Sequence, residues 1–273
     1  MASIDIAYYS IAISRVAHAH IELPNDANAW EKRDNPHYNR PVKTVFLLHG
    51  YQNDLTEWPT HAPVRETALK YNLAMVMPYG GNSFYLDAKG RGNSYCRFIG
   101  EELPKYLQNT LGLSDRREDN YIGGISMGGF GAIHTAYSYP ERFERAFAMS
   151  PALIVNAIKD IPESFSDPMA DYDYYSSVFG PLNELDSSRN SPEFLLRELK
   201  RSDSRIPPLF QACGTEDFLI KNNREFLHVL EELSAPHVYH EGHGTHEFSF
   251  WNKYLTPAIH FLLTGEDDAQ NNM

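Results

Sequence analysis

Residues 121–132 read Tyr-Ile-Gly-Gly-Ile-Ser-Met-Gly-Gly-Phe-Gly-Ala, and no other stretch limits the folds open to this chain as strongly. An apolar run leads into Gly124-Ile125-Ser126-Met127-Gly128, and residues 130–137 are compatible with a helix. A GxSxG pentapeptide is short and recurs by chance, so its strand–turn–helix setting is what gives it weight. The flanking glycines let other backbone come close to a strained turn. Such a turn lifts the serine oxygen above a sheet edge and aims a helix N-terminus and the Met127 backbone N–H at any negative charge formed there. The plainer alternative is a glycine-rich turn with an idle serine, so the remaining chain must be searched for partners.

From about residue 40 onward, short apolar runs alternate with amphipathic stretches, the pattern of parallel strands covered by helices. Buried strands are expected at 43–48, 73–77, 121–125, 145–149, 208–213 and 237–240. The loosely alternating segments 4–9 and 13–23 predict an antiparallel pair at one edge. Phe226, Leu227, Leu230 and Leu233 recur at helical spacing, as do Trp251, Leu255, Ile259 and Leu262, and both stripes read as core faces of covering helices. The expected fold class is α/β: a mostly parallel eight-stranded sheet with helices on both faces, formed by residues 1–273 as one domain.

Residues 152–206 break the alternation. They carry Pro162, Pro168, Pro181 and Pro192, many acidic residues and the tyrosines Tyr172, Tyr174 and Tyr175. A connection this long inside a compact domain is usually functional, so we expect a small, partly helical cap over the C-terminal sheet edge. Tyr172, Tyr174 and Tyr175 offer flat apolar contact with a hydroxyl tip, and Trp58 and Phe84 follow predicted strands, so these five are the candidate substrate-binding aromatics. Anchoring of the cap would explain them equally well. The tail, 266–273, is expected to fray.

Partners for Ser126 are sought at strand ends. Leu47-Leu48-His49-Gly50-Tyr51 closes an early strand with a glycine, and the Tyr51 backbone N–H is the candidate second oxyanion donor beside Met127. His49 reads as hydrogen-bonded support rather than as a base. After strand 208–213 comes Gly214-Thr215-Glu216-Asp217-Phe218. Adjacent side chains in an extended turn diverge, so only one carboxylate reaches a histidine; Asp217 is preferred, with Glu216 solvated. The last loop, Glu241-Gly242-His243-Gly244-Thr245-His246, offers several histidines, and composition alone does not choose among His240, His243 and His246. His246 is preferred because it sits where the loop meets a helix and can swing back over the sheet edge. The i, i+3 spacing of His243 and His246 also permits a metal reading, but it lacks a cysteine or carboxylate in a ligand pattern. No metal and no cofactor are expected.

The chain is acidic, with a formal net charge of −12 and no long lysine or arginine cluster, which disfavours nucleic acid and anionic membranes as partners. Cys96 and Cys213 stand in no CxxC or Cys/His ligand spacing. The first residues include Asp5 and lack a secretory pattern, and no stretch approaches the roughly 20 apolar residues of a membrane span. A cytoplasmic protein is expected, acting on a small molecule, with homo-oligomerisation left open.

Together these motifs resemble the α/β-hydrolase family of esterases that includes esterase D (S-formylglutathione hydrolase), tributyrin esterases, the feruloyl and acetylxylan esterases of carbohydrate esterase family 1, and the antigen 85 acyltransferases. The resemblance extends to Tyr9-Ser10, Leu23-Pro24, Asn82-Ser83-Phe84-Tyr85 and Glu102-Leu103-Pro104, which look most like the tributyrin- and cinnamoyl-esterase branch. It implies Ser126, Asp217 and His246 as a catalytic triad, the Tyr51 and Met127 amides as oxyanion hole, and no metal. Tyr51 departs from the small or aliphatic residue usual after His-Gly, and residues 152–206 are the least family-like segment.

The implied function is a serine carboxylesterase for short acyl or aryl esters of the acetyl or feruloyl type. A thioesterase of the S-formylglutathione hydrolase kind or an acyltransferase would share the same triad. A non-catalytic binding protein on this fold is the remote alternative, since fold alone guarantees no function.

Overall fold

The structure is a computed structural model, and it describes residues 1–268. Among these, eight strands form one sheet: β1 Ala2–Ser10, β2 Arg15–Leu23, β3 Lys43–Leu48, β4 Leu73–Pro78, β5 Asn120–Ile125, β6 Ala146–Met149, β7 Leu209–Gly214 and β8 His237–Gly242. Their spatial order is β1-β2-β4-β3-β5-β6-β7-β8. β1 pairs antiparallel with β2, and β2 antiparallel with β4, whereas β3 to β8 run parallel. The expected mostly parallel sheet with an antiparallel edge pair is therefore present. Residues 13 and 14 belong to the β1–β2 turn rather than to β2, because Ser14 takes a left-handed φ of 49° that no strand accommodates.

The parallel strands are buried on both faces, and alternation along each decides which face a side chain joins. Phe46 and Leu48 of β3, Ala74 and Val76 of β4, and Ala146 and Ala148 of β6 point into one core. Val45 and Leu47, Met75 and Met77, and Phe147 and Met149 point into the other. Burying one Phe or Leu side chain completely contributes roughly 1.5–3 kcal/mol, so slipping β3 by one residue would exchange both sets at once.

Among the described residues, nine helices position the site: α1 Glu57–His61, α2 Val64–Tyr71, α3 Leu103–Leu111, α4 Met127–Ser138, α5 Val155–Ile158, α6 Tyr172–Phe179, α7 Pro192–Arg201, α8 Ile220–Glu232 and α9 Phe248–Thr264. The first core takes Leu103 and Leu107 of α3, Phe130 and Ile133 of α4, Leu195 and Leu196 of α7, and Phe226 and Leu230 of α8. The second takes Trp58 of α1, Val64 and Ala68 of α2, and Trp251, Leu255, Ile259 and Leu262 of α9. Both predicted helical stripes thus line cores.

Residues 152–206 divide in two, which differs from a cap spanning the whole segment. α5, α6 and the loop between them hold Phe165, Met169, Tyr174 and Tyr175, which line a cavity with Ser126. α7 instead packs on α4 as an ordinary covering helix. Ser191 caps its N-terminus, accepting from the Phe194 N–H, and Pro192 follows at the first helical position. Of the predicted tail, Asp267 meets His240 Nε2 at 2.9 Å, and residues 269–273 lie outside the described residues.

Candidate active site

Ser126 sits between β5 and α4 with φ 52° and ψ −120°, a conformation a non-glycine residue holds only where its surroundings over-determine it. They do so here: its N–H donates to Met149 O at 3.0 Å, and its carbonyl accepts from Ala152 and Phe130. The two flanking glycines are required by close approach. A Cβ on Gly124 would overlap the Gly128 carbonyl, and one on Gly128 would overlap the Leu48 carbonyl. The GxSxG spacing is therefore dictated by backbone packing against the end of β3.

Asp217 lies in the turn after β7 with its side chain fully buried. Oδ1 accepts the Leu219 N–H at 2.8 Å, and Oδ2 accepts His246 Nδ1–H at 2.8 Å. Burial alone would raise its carboxyl, but the bonds from His246 and Leu219 and the charge of the imidazole, with a smaller contribution from the Ser150 hydroxyl, outweigh that and hold it below the ordinary carboxylate range. An ionised acceptor on Nδ1 requires the proton there, which leaves Nε2 of His246 as the base-competent nitrogen. Phe218, 70% exposed, packs its ring 4.6 Å from the His246 ring and lines the same cavity as Ser126. Trp251 meets His246 edge-on from another side, 5.0 Å between centroids.

Glu216 points away, as expected of neighbouring carboxylates, yet it is not idle. Oε2 accepts the Gly244 N–H at 2.7 Å and Oε1 meets His243 Nδ1 at 2.8 Å. These bonds pull its carboxyl down to about 2. It thereby staples the loop two residues before His246. His243 and His246 are committed to different carboxylates, and His240 belongs to β8.

At the end of β3, His49 is buried and uses both ring nitrogens: Nδ1–H donates to Gly50 O at 2.8 Å, and Nε2 accepts the Gly80 N–H at 2.8 Å. Burial lowers its pKa, consistent with a neutral supporting ring. Met127 opens α4, and the Tyr51 side chain enters the cavity, its hydroxyl donating to Met169 O at 3.2 Å.

The cavity holding Ser126 and Met127 encloses about 320 Å³. Its walls are mainly apolar, with Phe84, Ile154, Ile158, Phe165, Tyr174 and Tyr175 among them. Of the five aromatics singled out from sequence, Phe84, Tyr174 and Tyr175 line it and two do not. Trp58 is 1% exposed in the core of the opposite sheet face, where its indole N–H donates to Leu48 O at 3.0 Å; it braces the end of β3 rather than forming a wall. Tyr172, at the first position of α6, packs half-buried against the main core and is not among the residues that line the cavity. Four residues at this site had escaped sequence reasoning: Glu57, Ser150, Phe218 and Trp251. Only Ser150 and Phe218 carried a usable signal, each standing just past the C-terminal end of a parallel strand, where ligands of open α/β sheets gather.

A serine at a strained strand-to-helix turn, with a carboxylate-bound histidine on the same sheet edge, defines a protein of the α/β-hydrolase class. Residues 12–262 match the family described as "Putative esterase". A curated relative, the acetyl esterase of Caldicellulosiruptor saccharolyticus, is 34% identical over 267 residues, covering 98% of this chain and all of the relative. Among solved structures, the fluorophosphonate-binding serine hydrolase FphF of Staphylococcus aureus superimposes with a TM-score of 0.81 at 26% identity, covering 96% of this chain and 98% of that one. S-formylglutathione hydrolase (FrmB) from the same organism gives 0.80 at 27% identity, covering 96% and 99%. The chain belongs to this esterase family and is a carboxylic ester hydrolase. Among the described residues, no helix is long and apolar enough to cross a membrane.

Proposed function

We propose that this protein is a serine esterase for short acyl or aryl esters, working through Ser126, His246 and Asp217 and a covalent acyl-enzyme. One observation carries the reading: the 2.8 Å bond from His246 Nδ1 to the buried Asp217 carboxylate, beside a cavity that contains a strained Ser126. Likeness to an acetyl esterase, and to FphF as a fluorophosphonate-binding serine hydrolase, supports it.

In this reading His246 Nε2 takes the Ser126 proton as Oγ attacks the acyl carbon. The Tyr51 and Met127 amides hold the oxyanion. The bond to the alcohol then breaks, and the alcohol leaves with the proton from His246. Water repeats the sequence on the acyl-serine, releasing the acid and the free enzyme. Asp217 holds the imidazole tautomer and offsets its positive charge. The chain acts as one domain, with α5, α6 and their connecting loop as a cap that encloses the acyl group.

Labelling with a fluorophosphonate, read beside hydrolysis of acetyl, butyryl, feruloyl and palmitoyl esters, tests this. Wild type should label and Ser126→Ala should not, with turnover reduced by roughly three orders of magnitude or more. Unchanged labelling in Ser126→Ala would remove Ser126 from its role. The likeness to S-formylglutathione hydrolase favours a second reading, a thioesterase; a higher kcat/KM for a thioester than for its oxygen counterpart would select it.

A further inference from the structure

Glu57 is a buried carboxylate that the steps above leave unused. It stands in the first turn of α1, 8% exposed, directly before Trp58. Its Oε2 accepts the Gly50 N–H at 2.6 Å, and its Oε1 accepts from Asn53 Nδ2 at 2.6 Å. Burial pushes its carboxyl up, while those two bonds and the nearby His61 and His246 pull it back only in part. A charged side chain is a costly way to fill such a position unless its hydrogen bonds accomplish something.

What they accomplish is visible at Gly50. A Cβ there would lie 3.4 Å from Glu57 Oε2 and 3.7 Å from Ser126 Cβ, so carboxylate and serine face each other across this one glycine. Glu57 holds the N–H of the peptide entering Gly50, and His49 Nδ1 holds the carbonyl of the peptide leaving it. A trans peptide is planar, with its N–H opposed to its C=O. Fixing Gly50 O therefore fixes the direction of the Tyr51 N–H, provided Gly50 cannot rotate. Glycine rotates more freely than any other residue, and the bond from Glu57 removes that freedom.

We propose that Glu57 is a positioning residue for the oxyanion hole: it locks Gly50 so that the Tyr51 N–H faces the reacting carbonyl oxygen. The proposal rests on the reading of Ser126 as nucleophile and the Tyr51 amide as oxyanion donor. Glu57 touches no substrate. It acts through the loop, so its loss weakens transition-state binding while leaving ground-state binding nearly untouched.

The test compares Glu57→Ala, Glu57→Gln and Glu57→Asp with wild type in kcat, KM, melting temperature and inhibition by an alkylboronic acid, a tetrahedral mimic that places an oxygen in the hole. Glu57→Ala should lower kcat by about 10–100-fold, with KM changed less than about threefold and affinity for the boronic acid reduced in parallel. Glu57→Gln, whose carbonyl oxygen still accepts the Gly50 N–H, should return kcat to within about fivefold of wild type. Glu57→Asp keeps the charge but is one methylene short, and should resemble Ala. A kcat within twofold of wild type in Glu57→Ala would overturn the proposal, as would a Gln variant no better than Ala. If Glu57→Ala fails to fold, the ranking of Gln above Asp decides. Activity surviving in Ser126→Ala would sink the underlying reading instead, whatever the Glu57 variants do.

Discussion

The indole N–H of Trp251 donates to Ser150 Oγ at 3.0 Å, and the Ser150 hydroxyl is among the groups that lower the pKa of the Asp217 carboxyl, so the first turn of the last helix reaches the surroundings of the carboxylate that holds His246. Ser150 can serve both because it turns sharply after β6, fully buried at φ 43°. The same indole packs edge-on against His246. Trp251 therefore restrains the imidazole by contact and holds the Ser150 hydroxyl near the carboxylate that His246 bonds. Trp251→Phe preserves much of the ring area but removes the donor. Its kcat for a p-nitrophenyl ester should drop by about tenfold with KM nearly constant, since the loss is one of orientation. A kcat equal to that of wild type would show that His246 needs no such restraint.

The two adjacent carboxylates should separate by the size and the kind of their effects. Asp217→Asn presents an amide to His246 Nδ1 and favours the wrong tautomer, so kcat should fall by roughly 10³–10⁴-fold. Glu216→Gln retains one acceptor for the Gly244 N–H but loses the charge facing His243. It should cost no more than a few-fold in kcat, accompanied by a small drop in melting temperature from the looser loop. Steady-state kinetics on both variants gives the ranking, and a larger loss in Glu216→Gln would transfer the acid's role.

Acid sensitivity should come partly from a histidine remote from the chemistry. His134 of α4 is buried, its Nε2–H donating to Arg189 O at 2.8 Å, and burial with the nearby Arg189 charge lowers its pKa from 6.5 to about 4. Below 6.5 the unfolded chain takes up a proton that the folded chain refuses, so the stability contributed by the neutral ring is lost as pH falls from about 6.5 to about 4. His49, lowered by burial, adds a loss of the same sign. The melting temperature should therefore decline steadily across that window. In His134→Gln, which keeps a donor for Arg189 O without the titration, the decline should be shallower. Parallel slopes for the two proteins between pH 4.5 and 7 would remove His134 from this account.

The sheet was legible in the sequence because its strands are short apolar runs separated by helical stripes, and burial on both faces leaves no other use for such runs. Strand ends shifted by one or two residues, as at β8, where Glu241 and Gly242 continue the ladder despite their polarity and flexibility. The pairing of Asp217 with His246 could be anticipated because each stands just past a strand, where the fold delivers side chains to one edge. Trp58 was misplaced for a physical reason: a large aromatic in a loop after a strand suits a pocket wall or a brace equally, and only its bond to Leu48 O distinguishes them. Glu57 was invisible, since its meaning depends on Gly50, seven residues earlier, closing onto it. At α7, Ser191-Pro192 announced a helix start that the proline-rich composition of 152–206 obscured.

Substrate size follows from the cavity. A cavity of about 320 Å³ lined by Phe165, Ile158, Tyr174 and Phe84 suits an acetyl, butyryl or single aromatic acyl group better than a sixteen-carbon chain. The enclosure is held by two tyrosine hydroxyls: Tyr51 donates to Met169 O at 3.2 Å, and Tyr174 donates to Asn82 O at 2.7 Å, each tying cap to body. The cap surface also carries Asp171 and Asp173, both exposed, which suit a soluble ester better than an oil interface. Specificity constants should therefore rank p-nitrophenyl acetate and butyrate, together with methyl ferulate, at least tenfold above p-nitrophenyl palmitate, since each misplaced or excluded methylene forfeits about 0.8 kcal/mol of burial. Phe165→Ala should widen the far wall and move the optimum towards octanoate with little effect on acetate. Tyr174→Phe keeps the wall but cuts one tether, so it should relax chain-length discrimination less than Phe165→Ala does. A wild-type preference for palmitate, or activation on emulsified substrate, would mean that the cap opens into a far larger groove and would refute this assignment of the cavity.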